Sequence, residues 1–350
     1  MFYVWSRNKH VARENVDEYL RIHTRVHESF FSGNVTIMVR VSDLEIVSLQ
    51  AEMPRPINEE CTGALPLLQQ VVGARIGEGL TKRMDGLIGQ ATGCTHMTNL
   101  VLEACHAAAV GFRQIRMAQA LAAGLSPDDF YREWIKTRPK ELRNSCVAFA
   151  DGSPLLQRVT SAAAHEASRS VDVGARLSAG TSLPIVRFSR NKFVGVGRLD
   201  KDTFMARGLL EDNAHSMRVE VEIRRSDFEV VAVRGEMLRV PNDMCPHAVD
   251  ALPSAVGLGL RPGLTAAIDE RLGRKGCPHL ANLLLEACHG VIQGTLGATI
   301  EDSRTAGLQL NWDEVRGRWL ESMPMLHNTC LAYRQDSPLW QRLGVGTPVG

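Results

Sequence analysis

The chain has 350 residues, of which 44% are hydrophobic and 23% are charged, a composition typical of a folded protein with one or two ordinary cores. A net charge of +1 without a long run of either sign argues against a nucleic-acid partner. The N-terminus has charged residues too early for a signal peptide, and Glu286 and His289 interrupt the most apolar windows. We therefore expect a cytoplasmic protein, without a membrane partner, whose eight cysteines are reduced thiols or metal ligands.

An internal repeat covers nearly the whole chain. The stretch GCTHMTNLVLEACH at 93–106 returns as GCPHLANLLLEACH at 276–289, and NSCVAFADGSPLLQR returns as NTCLAYRQDSPLWQR. Each cysteine of the first copy has a counterpart in the second, the pairs being Cys61 and Cys245, Cys94 and Cys277, Cys105 and Cys288, and Cys146 and Cys330. We interpret the chain as two homologous units, 1–165 and 184–350, with a connection at 166–183, forming a pseudo-dimer.

Within each unit, strands are predicted first and helices later. In 217–237 the apolar residues Val219, Val221 and Ile223 alternate with charges before a Ser-Asp turn, which predicts an antiparallel hairpin, and 35–53 has the same pattern. After these hairpins alanine and leucine recur at helical spacing. The predicted fold class is α+β, with a small antiparallel sheet in each unit followed by and packed against several helices.

The repeated Cys-x-His stretch is predicted to begin a long helix. Pro278 suits the first helical position, so Cys277 is the predicted N-cap, and Cys94 takes that place in the first unit. A further amphipathic helix is predicted at DDFYREWIK and again at WDEVRGRWLESM. A helix N-terminus lowers the pKa of a thiol, so both cysteines are candidates for chemistry.

Two kinds of chemistry suit these cysteines. Cys94 with His96, and Cys277 with His279, could each supply two metal ligands or a nucleophile beside a base. A zinc or iron site in the second unit would use Cys245, Cys277, His279 and Cys330, with first-unit counterparts Cys61, Cys94, His96 and Cys146. Cys105 and Cys288 are predicted to be buried apolar residues instead.

The succession of a hairpin, a Pro-x-x-x-x-Cys segment and Gly-Cys-Thr-His-Met resembles a bacterial domain family of unknown function whose hallmark is Gly-Cys-Thr-His-Leu. The resemblance covers most of each unit. In that family an Asp and a His-x-Met element precede the hairpin, which match Asp212, His215 and Met217 here. The aligned residues of the first unit are Glu28, Phe31 and Gly33. The resemblance therefore implies that the second unit holds the intact site, with Asp212, His215 and Cys277 as catalytic candidates, and that the first is degenerate.

Two further patterns have alternative interpretations. Glu103 with His106, and Glu286 with His289, are three residues apart on a helix, a spacing that suits either a di-metal site or a local helix contact. The Arg-Asn-Lys stretches at 7–9 and 190–192 suit either an anion site or a solvated strand edge.

Three hypotheses of function follow. The first is a metal-dependent lyase or hydrolase, containing Zn²⁺ or Fe²⁺, that acts on a small organic molecule. The second is a thiol-dependent enzyme in which Cys277 attacks the substrate and His279 or His215 transfers protons. The third is a binding module with a structural metal or a buried cysteine cluster. A small-molecule substrate is the expected partner, and a homo-oligomer is compatible with the sequence.

Overall fold

The computed structural model describes residues 3–161 and 188–345. Within these ranges the strands are β1 (Trp5–Val16), β2 (Tyr19–Glu28), β3 (Ser32–Arg40), β4 (Ile46–Arg55), β5 (Phe188–Arg198), β6 (Thr203–Asp212), β7 (Ser216–Arg224) and β8 (Val230–Arg239). Four strands belong to each repeat, and helices follow them. The predicted α+β class and the duplication are therefore confirmed.

The helices occupy the second part of each repeat. The α-helices are α1 (Leu80–Ile88), α2 (Thr95–Ala122), α3 (Pro127–Thr137), α4 (Pro139–Leu142), α5 (Pro154–Thr160), α6 (Leu264–Ile268), α7 (Pro278–Thr305), α8 (Trp312–Ser322) and α9 (Pro338–Leu343). Short 3-10 helices lie at Glu59–Ala64, Pro66–Val71, Gln90–Thr92, Val147–Phe149, Cys245–Ala255 and Pro324–Leu326, and a π-helical turn lies at Asp269–Gly273. The two predicted amphipathic helices are confirmed as α3 and α8.

The predicted hairpins are β3 with β4 and β7 with β8. Val219, Val221 and Ile223 are fully buried, as their alternation with charged residues predicts. The hairpin of β1 and β2 lacks that signal, because inward positions of β1 carry Lys9 and Arg13, both buried. Polar residues at core positions hide a strand from hydrophobic periodicity.

The first packing unit comprises residues 3–110, 188–198 and 290–345 of the described chain. Its strands lie in the order β4, β3, β2, β1, β5, all antiparallel. Strand β5, the end of α7, α8 and α9 come from the second repeat. The Arg-Asn-Lys stretches pair with each other between β1 and β5, with Lys9 opposite Lys192, so the strand-edge interpretation is wrong.

The second packing unit comprises residues 111–161 and 199–289, with strands in the order β6, β7, β8. The predicted connection at 166–183 lies outside the described residues. Each packing unit thus contains the last helices of the other repeat. Helices α2 and α7 account for this exchange: each has 28 residues, a length of about 42 Å. Each begins in one unit and ends in the other.

Close contact between helix and strand shapes the first unit. Thr24 of β2 donates a hydrogen bond from Oγ1 to the Leu100 carbonyl of α2, at 3.2 Å. A Cβ at Gly297 of α7 would lie 2.1 Å from the Val4 carbonyl oxygen, so only glycine allows this approach. The Thr24 hydrogen bond holds the start of α2 over β2, near the candidate site.

Helix α7 has the length and apolar composition of a membrane-spanning segment, and it is the helix of the described ranges that meets both criteria. Most of its apolar window, 72%, is buried inside the protein. That burial is typical of the core helix of a folded domain.

Candidate functional site

Cys94 lies directly before helix α2, at the position predicted. Its carbonyl accepts the Thr98 N–H at 2.9 Å, the first hydrogen bond of the helix, and the Thr98 hydroxyl also donates to it at 2.9 Å. Cys277 has the same place before α7, where its carbonyl accepts the Ala281 N–H at 2.9 Å and Pro278 is the first helical residue. Both thiols are therefore N-cap residues that face the positive end of a long helix.

A chain of charged side chains leads away from Cys94 in the first unit. The Nε2 atom of His96 lies 3.1 Å from Oε1 of Glu28, and the Oε2 atom of Glu28 accepts a hydrogen bond from Arg7 Nη2 at 3.1 Å. Arg7 and Glu28 lie opposite each other in the pairing of β1 with β2. The Glu28 side chain is 2% exposed, so this is a buried ion pair and not a surface contact.

These contacts set the ionisation of the site. Burial opposes the charge on Glu28, but Arg7 and His96 lower the pKa of its carboxyl to about 2. Burial likewise disfavours the imidazolium of His96, but Glu28 and the hydrogen bond with Cys94 raise its pKa to about 9. Burial also raises the pKa of Cys94, and the hydrogen bonds from His96 and the Met97 N–H more than offset this and lower it. The contacts therefore favour an imidazolium at His96 and shift Cys94 towards its thiolate form.

Two more thiols lie beside Cys94. Burial raises the pKa of Cys61 to about 12, with contributions from Cys94 and then Cys330. The Leu331 N–H donates to the Gly93 carbonyl at 2.8 Å, and the Thr95 hydroxyl donates to the Thr329 carbonyl at 3.0 Å. Cys330 is therefore held next to Cys94.

The second unit has a different chain of contacts. Asp212 Oδ1 lies 3.0 Å from His215 Nδ1 and accepts the His215 backbone N–H at 2.7 Å. The His215 ring packs on the His279 ring, with 4.3 Å between centroids, and His279 Nδ1 lies 3.9 Å from Cys277 Sγ. Burial raises the pKa of Cys277 to about 11. The predicted catalytic residues are thus together, but the thiol form of Cys277 is favoured.

The two units have different residues at two matched positions, Phe31 against His215 and Glu28 against Asp212. Phe31 packs on His96 with 4.5 Å between ring centroids, as His215 packs on His279. The two turns are alike, since Glu28 N–H donates to the Phe31 carbonyl and Asp212 N–H to the His215 carbonyl, both at 2.9 Å. Where the second unit has His215 between carboxylate and imidazole, the longer Glu28 reaches His96 directly. The loss of the histidine in the first unit therefore does not leave His96 without a carboxylate.

The cysteines are grouped across the repeats. Cys330, predicted beside Cys245 and Cys277, belongs to the second repeat but lies in the first packing unit with Cys61 and Cys94. Cys146, predicted beside Cys61 and Cys94, lies in the second unit, where the Val147 N–H donates to the Gly276 carbonyl at 2.8 Å. The predicted four-ligand set within one repeat is corrected accordingly, because α2 and α7 carry the last segment of each repeat into the other unit.

The remaining candidates have other surroundings. Cys105 and Cys288 are fully buried, as predicted. Glu103 forms ion pairs with Lys9, at 3.5 Å, and with Lys192. Burial lowers the pKa of the neighbouring His106. Glu286 is buried in the second unit, and the di-metal hypothesis stays a prediction. Within residues 3–161 and 188–345, no group of three or more acidic, histidine or cysteine side chains has an arrangement ready for a metal ion.

A cavity of about 490 Å³ lies in the first unit, lined by Pro56, Ile57, Asn58, Glu59, Asp313, Arg316 and Arg342. The Asn58 carbonyl accepts the Cys61 N–H at 3.0 Å, and the Asn58 side chain accepts a hydrogen bond from Arg316. Asn58 thus connects the cavity wall to the loop of Cys61.

Sequence analysis did not find the roles of Arg7 and Asn58. The strand register between β1 and β2 would have indicated Arg7, because it places Arg7 opposite Glu28. Asn58 becomes notable only when Arg316 of the other repeat lies beside it.

Comparison with known proteins gives a family for the chain. No curated protein and no solved structure matches it. A family model, described as a protein of unknown function (DUF2889), matches residues 7–110 and 200–293. The first match covers β1 to β4 and the start of α2, and the second covers β6 to β8 and the start of α7. Since the two matches together cover more than half of the chain, the protein belongs to the DUF2889 family and contains its domain twice.

Proposed function

We propose that this protein is a thiol-dependent enzyme whose nucleophile is Cys94 and whose substrate is a small organic molecule with an electrophilic carbonyl carbon. The observation that carries the proposal is the unbroken line of contacts from Cys94 through His96 and Glu28 to Arg7. A nucleophile beside a base that a third group orients is the arrangement of covalent catalysis.

Each residue has a distinct role. The Cys94 thiolate attacks the carbonyl carbon, and the helix N-terminus favours the thiolate before attack. His96, charged in the resting state, donates its proton to the leaving group and then takes a proton from the attacking water. Glu28 holds the imidazolium, and Arg7 keeps Glu28 ionised. Because water releases the acyl group from Cys94, the products are those of a hydrolase, whichever bond to the carbonyl carbon is broken.

The proposal moves the chemistry from the second unit, which the family resemblance favours, to the first. In the second unit the Asp212 carboxylate contacts His215, and burial raises the pKa of the Cys277 thiol to about 11. The Gly-Cys-Thr-His stretch that resembles the family hallmark is complete in the first unit at 93–96, whereas Pro278 replaces its threonine in the second. We also propose the cytoplasm as the compartment, because the nucleophile requires a reduced thiol.

The test compares Cys94 with Cys277. Their exposures are nearly equal, 5% and 7%, so different reactivity would report ionisation and not access. We expect iodoacetamide at pH 7 to alkylate Cys94 at least about tenfold faster than Cys277, measured by peptide mass spectrometry, since one pKa unit changes the thiolate population about tenfold. With p-nitrophenyl acetate we expect a burst of one nitrophenolate per chain that Cys94→Ser abolishes. Equal alkylation rates would refute the proposal.

The chain offers its own control for this test. Exchanging Glu28→Asp and Phe31→His gives the first unit the residues of the second, and we expect Cys94 alkylation to slow by about tenfold. The reciprocal exchange of Asp212→Glu and His215→Phe should make Cys277 faster. Glu28→Gln keeps the side-chain shape and removes the charge. It should therefore slow the alkylation of Cys94 and leave the alkylation rate of Cys277 unchanged.

A metal-dependent enzyme is the second candidate, and one observation favours it. Three cysteines gather in each unit: Cys61, Cys94 and Cys330 in the first, and Cys146, Cys245 and Cys277 in the second. Three thiolates suit Zn²⁺ or Fe²⁺, which would polarise a carbonyl or activate a water. The three thiols would have to move together to bind the ion.

Metal content distinguishes this candidate from the first. Plasma mass spectrometry on protein purified without an affinity metal should find about one zinc or iron per occupied site if it holds. The site lies in the first unit if Cys94→Ser and Cys330→Ser lose the metal and Cys146→Ser keeps it. The opposite pattern would identify the second unit, and protein without metal that still gives the nitrophenolate burst would leave the thiol mechanism.

A further inference from the structure

Two short segments from different repeats are tied together on both sides of a pair of thiols. The Leu331 N–H donates to the Gly93 carbonyl at 2.8 Å, and the Thr95 hydroxyl donates to the Thr329 carbonyl at 3.0 Å. The residue between 329 and 331 is Cys330, and the residue between 93 and 95 is Cys94. The two hydrogen bonds therefore hold the backbones of both cysteines side by side.

This arrangement suits a covalent link. A disulfide requires two Cα atoms within about 4.4–6.8 Å, a separation typical of adjacent hydrogen-bonded segments. All eight cysteines are free thiols, and Cys330 is partly exposed whereas Cys94 is buried. Cys330 is thus the thiol of the pair that a small oxidant or reductant reaches more readily.

We propose that Cys94 and Cys330 form a reversible disulfide, made by hydrogen peroxide, that blocks the nucleophile and joins the two repeats covalently. The inference rests on the proposed reactivity of Cys94. The Cys94 thiolate attacks the peroxide oxygen, which forms a sulfenic acid, and the hydroxide leaving group takes a proton from His96 to become water. The Cys330 thiol then attacks the Cys94 sulfur, the S–O bond breaks, and a second water leaves with the Cys330 proton. Two thiols lose two electrons in all, and the peroxide gains them.

The second unit is the matched control. Cys146 and Cys277 have the same relation, with the Val147 N–H bonded to the Gly276 carbonyl at 2.8 Å. Pro278 replaces Thr95 there and has no hydroxyl, so the second hydrogen bond between the two segments does not form. Burial also raises the pKa of the Cys277 thiol. We expect this pair to oxidise more slowly.

The experiment treats the reduced full chain with hydrogen peroxide, blocks remaining thiols, and measures linked peptides by mass spectrometry without reduction. The expected product is the Cys94 peptide linked to the Cys330 peptide, formed at least about fivefold faster than the Cys146 to Cys277 link and removed by dithiothreitol. In Cys330→Ser, Cys94 should go on to sulfinic acid. Thr95→Val, which removes one tie and no thiol, should slow the link several-fold, with circular dichroism confirming the fold.

Other results would overturn the inference. A dominant link from Cys94 to Cys61, equal rates in both units, or no link at all would each do so. If Cys94 alkylates faster than Cys277 and yet no link forms, the inference fails and the proposed function stands. If alkylation rates are equal, the proposed function fails, whatever the peroxide result.

Discussion

One methylene group separates Glu28 from Asp212, and the longer Glu28 side chain reaches the His96 imidazole at 3.1 Å. Asp212 is short and binds the His215 imidazole and the turn backbone. Glu28 reaches beyond the turn, where the Phe31 side chain has no hydrogen-bonding atom, and pairs with His96. Where the first unit has Phe31 in place of a histidine, the Glu28 carboxylate therefore contacts the His96 imidazole directly, and the site is not lost.

The dependence of the unfolding free energy on acid pH tests the burial of Glu28. Its folded pKa of about 2 lies below the ordinary value of 4.5, so its contribution is present above pH 4.5 and is lost as pH falls towards 2. In Glu28→Gln we expect the unfolding free energy to fall less steeply across this window, by up to about 1.4 kcal/mol per pH unit. Urea unfolding at pH 3, 4 and 5 measures it. Glu14→Gln, at an exposed pair with Arg21, should keep the wild-type slope, and an unchanged slope in Glu28→Gln would contradict the buried ion pair.

At the scale of elements, the start of α2 is the part of the fold on which the thiol depends. The Ile88 carbonyl accepts the Cys94 N–H at 3.2 Å and the Thr98 hydroxyl at 2.9 Å, so α1 ends where the thiol loop folds back on it. A Cβ on Gly93 would lie 1.7 Å from the Ile88 carbonyl oxygen. Glycine is thus required for the backbone to come this close.

Gly93→Ala should therefore be strongly destabilising. We expect the free energy of unfolding to fall by about 2–4 kcal/mol, because a backbone contact cannot move aside as a flexible side chain can, and Cys94 alkylation should slow towards the Cys277 rate. Urea unfolding and peptide mass spectrometry measure the two effects. The control is Gly86→Ala in α1, where a Cβ meets no atom within 4 Å and should add about 0.5–1 kcal/mol of stability. Equal stabilities of the two variants would be inconsistent with the tight turn.

At the scale of the whole molecule, a buried charge cluster joins strands from both repeats. Lys9 of β1 and Lys192 of β5 lie opposite each other, and both form ion pairs with Glu103 of α2. Lys9 and Lys192 are 7% and 4% exposed, so removal of the carboxylate would leave two cations in a poorly hydrated place.

Glu103→Gln should accordingly cost about 3–5 kcal/mol of unfolding free energy, the loss typical of a broken buried ion pair. The midpoint of urea unfolding measures this. Raised salt should restore little, since buried pairs are weakly screened. The matched surface change, Glu14→Gln, removes an exposed ion pair and should cost less than about 1 kcal/mol. A small effect of Glu103→Gln would contradict the role of the cluster in joining the repeats.

The duplication, the α+β class, the hairpins at 35–53 and 217–237 and the two N-cap cysteines were predictable from the sequence. These features are local: alternation marks a half-buried strand, and proline at the first helical position marks a helix start. The hairpin of β1 and β2 was not predicted, because Lys9 and Arg13 occupy its inward positions.

Which cysteines meet, and whether Glu28 reaches His96, depends on contacts between residues far apart in the chain. Cys330 joins Cys94, and Cys146 joins Cys277, because α2 and α7 are long enough to carry the end of each repeat into the other packing unit. The contact of Glu28 with His96 depends on the path of one side chain past Phe31. Local pattern gives the kind of element and its ends, whereas partners far apart in the chain are set by packing, which no spacing in the sequence records.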